Sequence, residues 1–311
     1  MAGKLAARVK GLSEAAFQAA FGREEQCRAV LERLRWPKGF LCPACGHAGR
    51  AWLAERRLYQ CNRCKHQVSL TAGTIFHATK LPLTTWFLAV HLIVTAKNGI
   101  SSIELGRRLG VKQTTAWSMK QKIMQVMQER EATRPLQGRV ELDDAYLGGA
   151  RSGGKRGRGA AGKTPLVAAV ETTAERRPKK LKLLPVKGFR KKEVAKLARQ
   201  HLQPGSNVVS DALSCWTAVA GAGCRHFPMV TGAGRQAARW APFKWVNTML
   251  GNIKAAITGT YRQLSPAHAP RYLASFAWRF NRRFQLDTMM PRFLHSAART
   301  QPLPDRLLVA G

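Results

Sequence analysis

The sequence predicts a multidomain α+β protein, largely helical before residue 131 and built of alternating strands and helices after it. Three observations carry that expectation. Four of the seven cysteines fall between residues 40 and 78, as two Cys-x-x-Cys pairs in a short, turn-rich stretch. Residues 81–130 repeat their apolar side chains at helical spacing in three runs, punctuated by Gly99 and Gly110. From Val140 the texture changes to Val-, Leu- and Thr-rich runs separated by helical ones, the pattern of an α/β or α+β domain.

Charge narrows the function. The 311 residues include 52 Lys and Arg against 17 Asp and Glu, a net charge of +35. An ordinary 45% of hydrophobic residues argues for a globular chain rather than a disordered basic tail. Such a surface repels itself unless it faces a polyanion: nucleic acid first, an anionic membrane second. The longest apolar run, Trp86 to Ala96, contains His91 and is too short to span a bilayer. The N-terminal residues have no apolar core of signal-peptide length. The expectation is a cytoplasmic protein without a membrane partner, whose cysteines are metal ligands or buried thiols rather than disulfides.

Residues 1–36 form an N-terminal helical segment, in which 13–36 have apolar spacing close to a helical period, Ser13 is an N-cap candidate, and Pro37-Lys-Gly39 ends the segment. Residues 37–78 read as a zinc ribbon. Cys42 and Cys45, then Cys61 and Cys64, can each turn two thiolates onto one ion, and the pairs together complete a tetrahedral sulfur shell for structural Zn²⁺. Trp52 to Gln60 supplies the hairpin between them. A ribbon buries little apolar area, so zinc provides much of its folding energy. His47, His66 and His77 are not needed as ligands, and Cys27, Cys215 and Cys224 read as small core residues.

Residues 79–130 read as a helix-turn-helix. Ile103, Leu105 and Leu109 mark the buried side of its first helix and Gly110 the tight turn, while Ala116, Ile123 and Met127 form the inner face of the second. Lys112, Gln113, Thr114, Thr115, Ser118, Lys120 and Gln121 are then free to meet DNA edges or phosphates. An ordinary amphipathic helix pair is the alternative. Residues 131–139 are a linker.

Past the linker, VELDDAYL, TPLVAAVETT, KKLKLLPV and NVVSDAL are strand candidates. Lys191 to His201 is a helix, and two further helices cover 245–258 and 267–283. Residues 148–162 form a flexible cationic loop rich in glycine. Gly157 to Thr164 satisfies the spelling of a phosphate-binding loop, but it lacks the strand before it and the helix after it that the function needs. Acidic residues are scarce, which makes their placement informative. Strand alternation puts Glu141 and Asp143 on one face and Asp144 on the other. Asp211 ends a second apolar strand, and two facing strand-borne carboxylates suit Mg²⁺ or Mn²⁺. Asn247 opens the helix that carries Lys254.

The paired cysteines, TAGTIF…LPLTTWF at 71–87, ELDDAYLGG, VVSDALSCW, VNTMLGNIKAAITGTYR and YLASFAWRFNRR together resemble insertion-sequence transposases of the DDE type. These are the ISXO-type members, with an N-terminal zinc ribbon and a helix-turn-helix. The resemblance runs from about residue 40 to 290. It implies a ribonuclease-H-like catalytic domain over 140–290, followed by a C-terminal tail at 291–311. It also implies metal-dependent strand cleavage and strand transfer at the ends of the element, by a homo-oligomer assembled on chromosomal DNA. Asp143 falls at the first acidic position of the family and Asp211 at the second. Asn247, seven residues before Lys254, stands where glutamate is usual, and its single neutral carbonyl oxygen is a weaker metal ligand. The same resemblance gives Lys254 a terminal phosphate and Arg279, Arg282 and Arg283 the DNA backbone. A regulatory DNA-binding relative with an impaired centre is the competing function, and a non-specific nuclease of the same fold a third.

Overall fold

The computed structural model describes residues 11–148, 163–230 and 241–309. All but the first residue of the cationic loop expected at 148–162 lies outside the described residues. The phosphate-loop spelling ends inside them, where Thr164 opens a strand and not a helix. The chain divides into two compact units. The first comprises 11–96, Ser102–Val126 and 284–309, and the second Lys97–Ser101 and Met127–Arg283.

The first unit begins with two helices inside the helical segment expected at 13–36. α1 (Glu14–Phe21) starts with the Ser13 hydroxyl accepting from the Ala16 amide at 3.2 Å. It stops at Gly22, and α2 (Glu24–Arg35) restarts after extended Arg23, whose amide is held by the Gln26 side chain at 3.0 Å. Glycine is the weakest ordinary helix former, so the break falls there. Strands β1 (Arg50–Leu53), β2 (Leu58–Cys61) and β3 (Gln67–Ser69) make an antiparallel sheet in that order. α3 (Leu83–Thr95) buries Trp86, Phe87, Val90, His91 and Ile93. Its apolar character all round is that of a core helix, and among the described residues no helix is long and apolar enough to cross a membrane. Pro82 offers no capping side chain, so the Glu24 carboxylate takes the amides of Leu83 and Thr84 at 3.0 and 3.1 Å. α4 (Ser102–Leu109) and α5 (Gln113–Ala132) complete the expected three runs.

The second unit is built on a five-stranded sheet of β4 (Arg139–Leu147), β5 (Thr164–Thr172), β6 (Pro178–Pro185), β7 (Asn207–Asp211) and β8 (Arg225–Met229). The spatial order is β6-β5-β4-β7-β8. The first three strands form an antiparallel meander, while β4–β7 and β7–β8 are parallel. Parallel neighbours need crossovers. These run through α6 (Lys191–His201) and a 3₁₀ segment, Ser214–Ala222. Val140, Leu142, Val167, Ala169 and Val208 face α6 and the 3₁₀ segment. Ala145, Leu147, Leu166, Ala168, Val170 and Val209 face α7 (Lys244–Ala256) and α8 (Ala269–Phe280). β5, covered on both faces, accordingly reads as a continuous apolar run.

Residues from 284 on belong to the first unit again. α9 (Met289–Ala297) buries Met289, Met290, Phe293 and Leu294 there. α10 (Asp305–Val309) is tied to α5 by Asp305, which accepts from Ser118 at 3.0 Å and pairs with Lys122 at 3.1 Å.

Candidate functional site

Two cysteine knuckles of matching geometry make the first site. The Cys42 amide bonds to the His47 carbonyl and the Cys61 amide to the His66 carbonyl, both at 3.0 Å. Gly46 and Lys65, each following the second cysteine of its pair, both take left-handed backbone angles, φ 70° and 61°. The sulfurs of Cys42, Cys45, Cys61 and Cys64 lie within 4.8 Å of one another, with 3.5 Å from Cys42 to Cys64 and 3.6 Å from Cys45 to Cys61. Zinc–sulfur bonds of ~2.3 Å in a tetrahedron imply sulfur separations of about 3.8 Å, so the cluster fits structural zinc. Backbone N–H groups of Cys64 and Arg63 pull the Cys61 thiol down to about 6, while, against the pull of the His66 backbone N–H, bonds from the neighbouring sulfurs push Cys64 up to about 12, so the crowded thiols share protons unequally. His47, His66 and His77 are all exposed, and Cys27, Cys215 and Cys224 are buried.

The second site is carboxylate. β4 and β7 pair with Arg139 beside Asn207 and Glu141 beside Val209. Carried on by two residues, that register sets Asp143 level with Asp211 at the C-terminal end of the parallel pair, on the face that α7 covers. The Asp143 carboxyl is raised from 3.8 to about 6, chiefly by burial. The charges of Asp144 and Asp211 push the same way, whereas the Asp144 amide, 2.8 Å away, and Lys254 oppose them. Asp211 is oriented by the Trp216 indole N–H at 2.6 Å and the Leu213 amide at 3.3 Å.

α7 arrives over this face because β4 holds its start. One oxygen of buried Glu141 accepts from the amides of Trp245 and Val246, both at 3.0 Å, and the other pairs with Arg139 at 2.8 Å. Arg139 also donates to the Pro242 carbonyl at 3.1 Å. A carboxylate on free helix N-terminal amides is favourable through both hydrogen bonding and the helix dipole. Asn247 follows in the first turn, half-buried, and Lys254 sits two turns on in the same stripe, exposed. The structure thus gathers Asp143, Asp211 and Lys254 and sets Asn247 on the helix that carries Lys254. The holding role of Glu141 was missed from sequence, although the alternation that placed it beside Asp143 was the signal. Trp216, five residues after Asp211, carried no such signal.

Several expected DNA contacts lie elsewhere. Arg279 and Arg282 are buried and Arg283 half-buried. Arg282 pairs with Glu131 at 2.6 Å and covers the Trp278 ring at 4.2 Å. Arg283 donates to the carbonyls of Phe280, at 2.8 Å, and Pro178, and Arg279 lies over Phe276 at 5.0 Å. Arg282 and Arg283 are spent on contacts within the fold, the first on a buried ion pair, whereas Arg279 keeps its Nε and one Nη buried without a hydrogen-bond partner among the described residues. Lys120 and Gln121 are buried as well, since α5 packs on several sides through Ala116, Met119, Ile123, Met124 and Val126. Ile103, expected to be buried, is 56% exposed. Lys112, Gln113 and Thr114 are exposed and Thr115 half-buried. The turn before them uses Gly110 at φ 66°. Gly106 gives the close approach of α4 to α5, where a Cβ would come within 3.0 Å of the Val111 carbonyl.

Residues 22–67 match the transposase zinc-ribbon domain, and residues 135–281 match the ISXO2-like transposase domain. Over 140 residues the chain is 27% identical to an uncharacterized protein in transposable element ISH50 of Halobacterium salinarum. That stretch covers 44% of this chain and 46% of the relative, so the chain spans less than half of the relative's length. The chain thus carries, in one sequence, a match to an ISXO2-like transposase domain over 135–281 and a match to a transposase zinc ribbon over 22–67.

Proposed function

We propose that the chain binds the ends of its insertion sequence and cuts and joins DNA at a divalent-metal centre formed by Asp143, Asp211 and Asn247. One observation carries this reading: the parallel register of β4 and β7, with Glu141 beside Val209, leads on to Asp143 and Asp211 on the face that α7 covers, and the charge of Asp211 acts on the Asp143 carboxyl. A three-strand antiparallel meander followed by two parallel strands supports a ribonuclease-H-like domain. Two carboxylates and an amide carbonyl are hard oxygen donors of the kind Mg²⁺ or Mn²⁺ takes. The metal, when bound, supplies Lewis-acid stabilisation of the displaced oxygen and an activated hydroxyl. Trp216 fixes the Asp211 carboxylate, the Glu141 clamp sets the height of Asn247 over the sheet, and exposed Lys254 neutralises a phosphate at the strand end. Lys112, Gln113, Thr114 and Thr115 present polar side chains from the turn and first helical residues of α5, the part of a helix-turn-helix that reads base edges. Asn247 in place of glutamate favours a second reading, a regulatory DNA-binding relative with an impaired centre.

The test is nicking and joining of a duplex carrying the element's terminal sequence by zinc-loaded protein in Mg²⁺ or Mn²⁺. Asp143→Ala and Asp211→Ala abolish strand transfer and leave DNA binding intact. Asn247→Ala slows joining at least tenfold, about 1.4 kcal/mol or more of barrier. Tight end binding by the parent with no cleavage in either metal would establish the regulatory reading instead.

A further inference from the structure

The first unit carries a basic groove that neither the zinc site nor the α4–α5 pair accounts for. Its cavity of about 700 Å³ is lined by the hairpin turn after β1, the start of α2, and residues 78–84, which lead into the first turn of α3. Four cations line it: Arg28, Arg56, Arg57 and Lys80. Arg56, Arg57 and Lys80 are exposed, and no ion pair forms on any of the four among the described residues. Glu24 is the single carboxylate in the lining, and both of its oxygens are already taken by the amides of Leu83 and Thr84. Arg28 is held ready, its guanidinium 4.5 Å above the ring of half-exposed Trp52.

The backbone points the same way. Arg57 sits at φ 52°, a left-handed angle that glycine or asparagine adopts at lower cost. Of the five non-glycine residues with positive φ among the described residues, four are basic: Arg57, Lys65, Arg176 and Arg262. At Arg57 the chain keeps a cation at the hairpin tip where a glycine would relax the turn. Strain of this kind persists where a side chain is needed.

We propose that this groove binds the phosphodiester backbone of duplex DNA, independently of base sequence, as a second contact beside the α4–α5 pair. The proposal rests on the reading of the chain as a DNA-end-binding transposase. Three exposed cations, with Arg28 beside them, in one open concavity neutralise phosphates without reading bases, which positions the duplex and adds salt-sensitive affinity.

The experiment is fluorescence anisotropy of zinc-loaded, full-length protein on terminal and random duplexes over a salt series. The proteins compared are the parent, the triple variant Arg56→Gln, Arg57→Gly, Lys80→Gln, the single variant Arg57→Gly, and Lys196→Gln on the exposed face of α6 as a charge control. Every phosphate that a variant no longer neutralises lowers the slope of log Kobs against log salt by about 0.9. The slope of the triple variant is therefore shallower by roughly 2–3, equally on both duplexes, with zinc content unchanged. Arg57→Gly is shallower by about 0.9 while melting no lower than the parent, because glycine suits the turn. Slopes indistinguishable from those of Lys196→Gln would overturn the groove and leave the transposase reading standing. A parent protein that binds neither duplex would overturn both.

Discussion

Asp143→Asn separates stability from activity in the carboxylate centre. In the folded chain the Asp143 carboxyl is raised from 3.8 to about 6, first by burial and then by Asp144 and Asp211. A folded value above the unfolded one means that the group favours folding below pH 3.8. That contribution is lost as pH rises through 6. Holding the side chain ionised at pH 8 therefore costs up to about 3 kcal/mol, taking 1.36 kcal/mol for each tenfold in the proton equilibrium. Asparagine has nearly the same shape and no charge to desolvate. In Mg²⁺-free buffer without chelator, so that the ribbon keeps its zinc, the variant melts higher than the parent at pH 8 by at most about 12 °C, at 2–4 °C per kcal/mol for a unit of this size. At pH 4 the two melt together. Added Mg²⁺ raises the parent, by about 2.7 kcal/mol at a hundred times its dissociation constant, and leaves the variant unmoved. The variant joins no DNA. Equal melting temperatures at pH 8 would refute the reasoning, because the carboxylate would then carry no desolvation strain.

Three further outcomes follow from the structure. Cys61→Ser removes one of four sulfurs from the ribbon, so zinc content falls and the first unit loosens while residues 140–290 keep their own transition; undiminished zinc by metal analysis would contradict the ligand set. Replacing Gln113 and Thr114 together lowers discrimination between terminal and random duplexes by about 1–3 kcal/mol for each base no longer read, and equal weakening on both would assign them to the backbone. Glu131→Gln breaks the buried pairing with Arg282 and costs the second unit about 3–5 kcal/mol in urea unfolding, so an unchanged midpoint would show that the pair contributes nothing.

The cysteine knuckles, the strands after Val140 and the pair of Asp143 and Asp211 were legible because each obeys a short-range rule: thiolate spacing, period-two alternation, a carboxylate ending an apolar strand. Burial of charged residues was not. Lys120 lies on a helix whose inner face, read from Ala116, Ile123 and Met127, is wider than three positions reveal. Arg282 is neutralised by Glu131, 151 residues away in sequence, and no local pattern announces such a partner. The return of residues 284–309 to the first unit depends equally on distant contacts, such as Asp305 with Lys122. The split of the first helix at Gly22 was readable from one residue, but the amphipathic spacing on either side runs through it unbroken.

The clamp of Arg139 and Glu141 on the start of α7 has an evolutionary consequence. In a site where the metal itself pins a helix to the sheet, the ligand on that helix is also its fastener, and changing it displaces the whole element. Here two side chains of one strand already fasten residues 242–246 through three main-chain bonds. Position 247 is thereby relieved of structural duty, and its side chain is free to drift among oxygen donors, asparagine included, with the scaffold around it undisturbed.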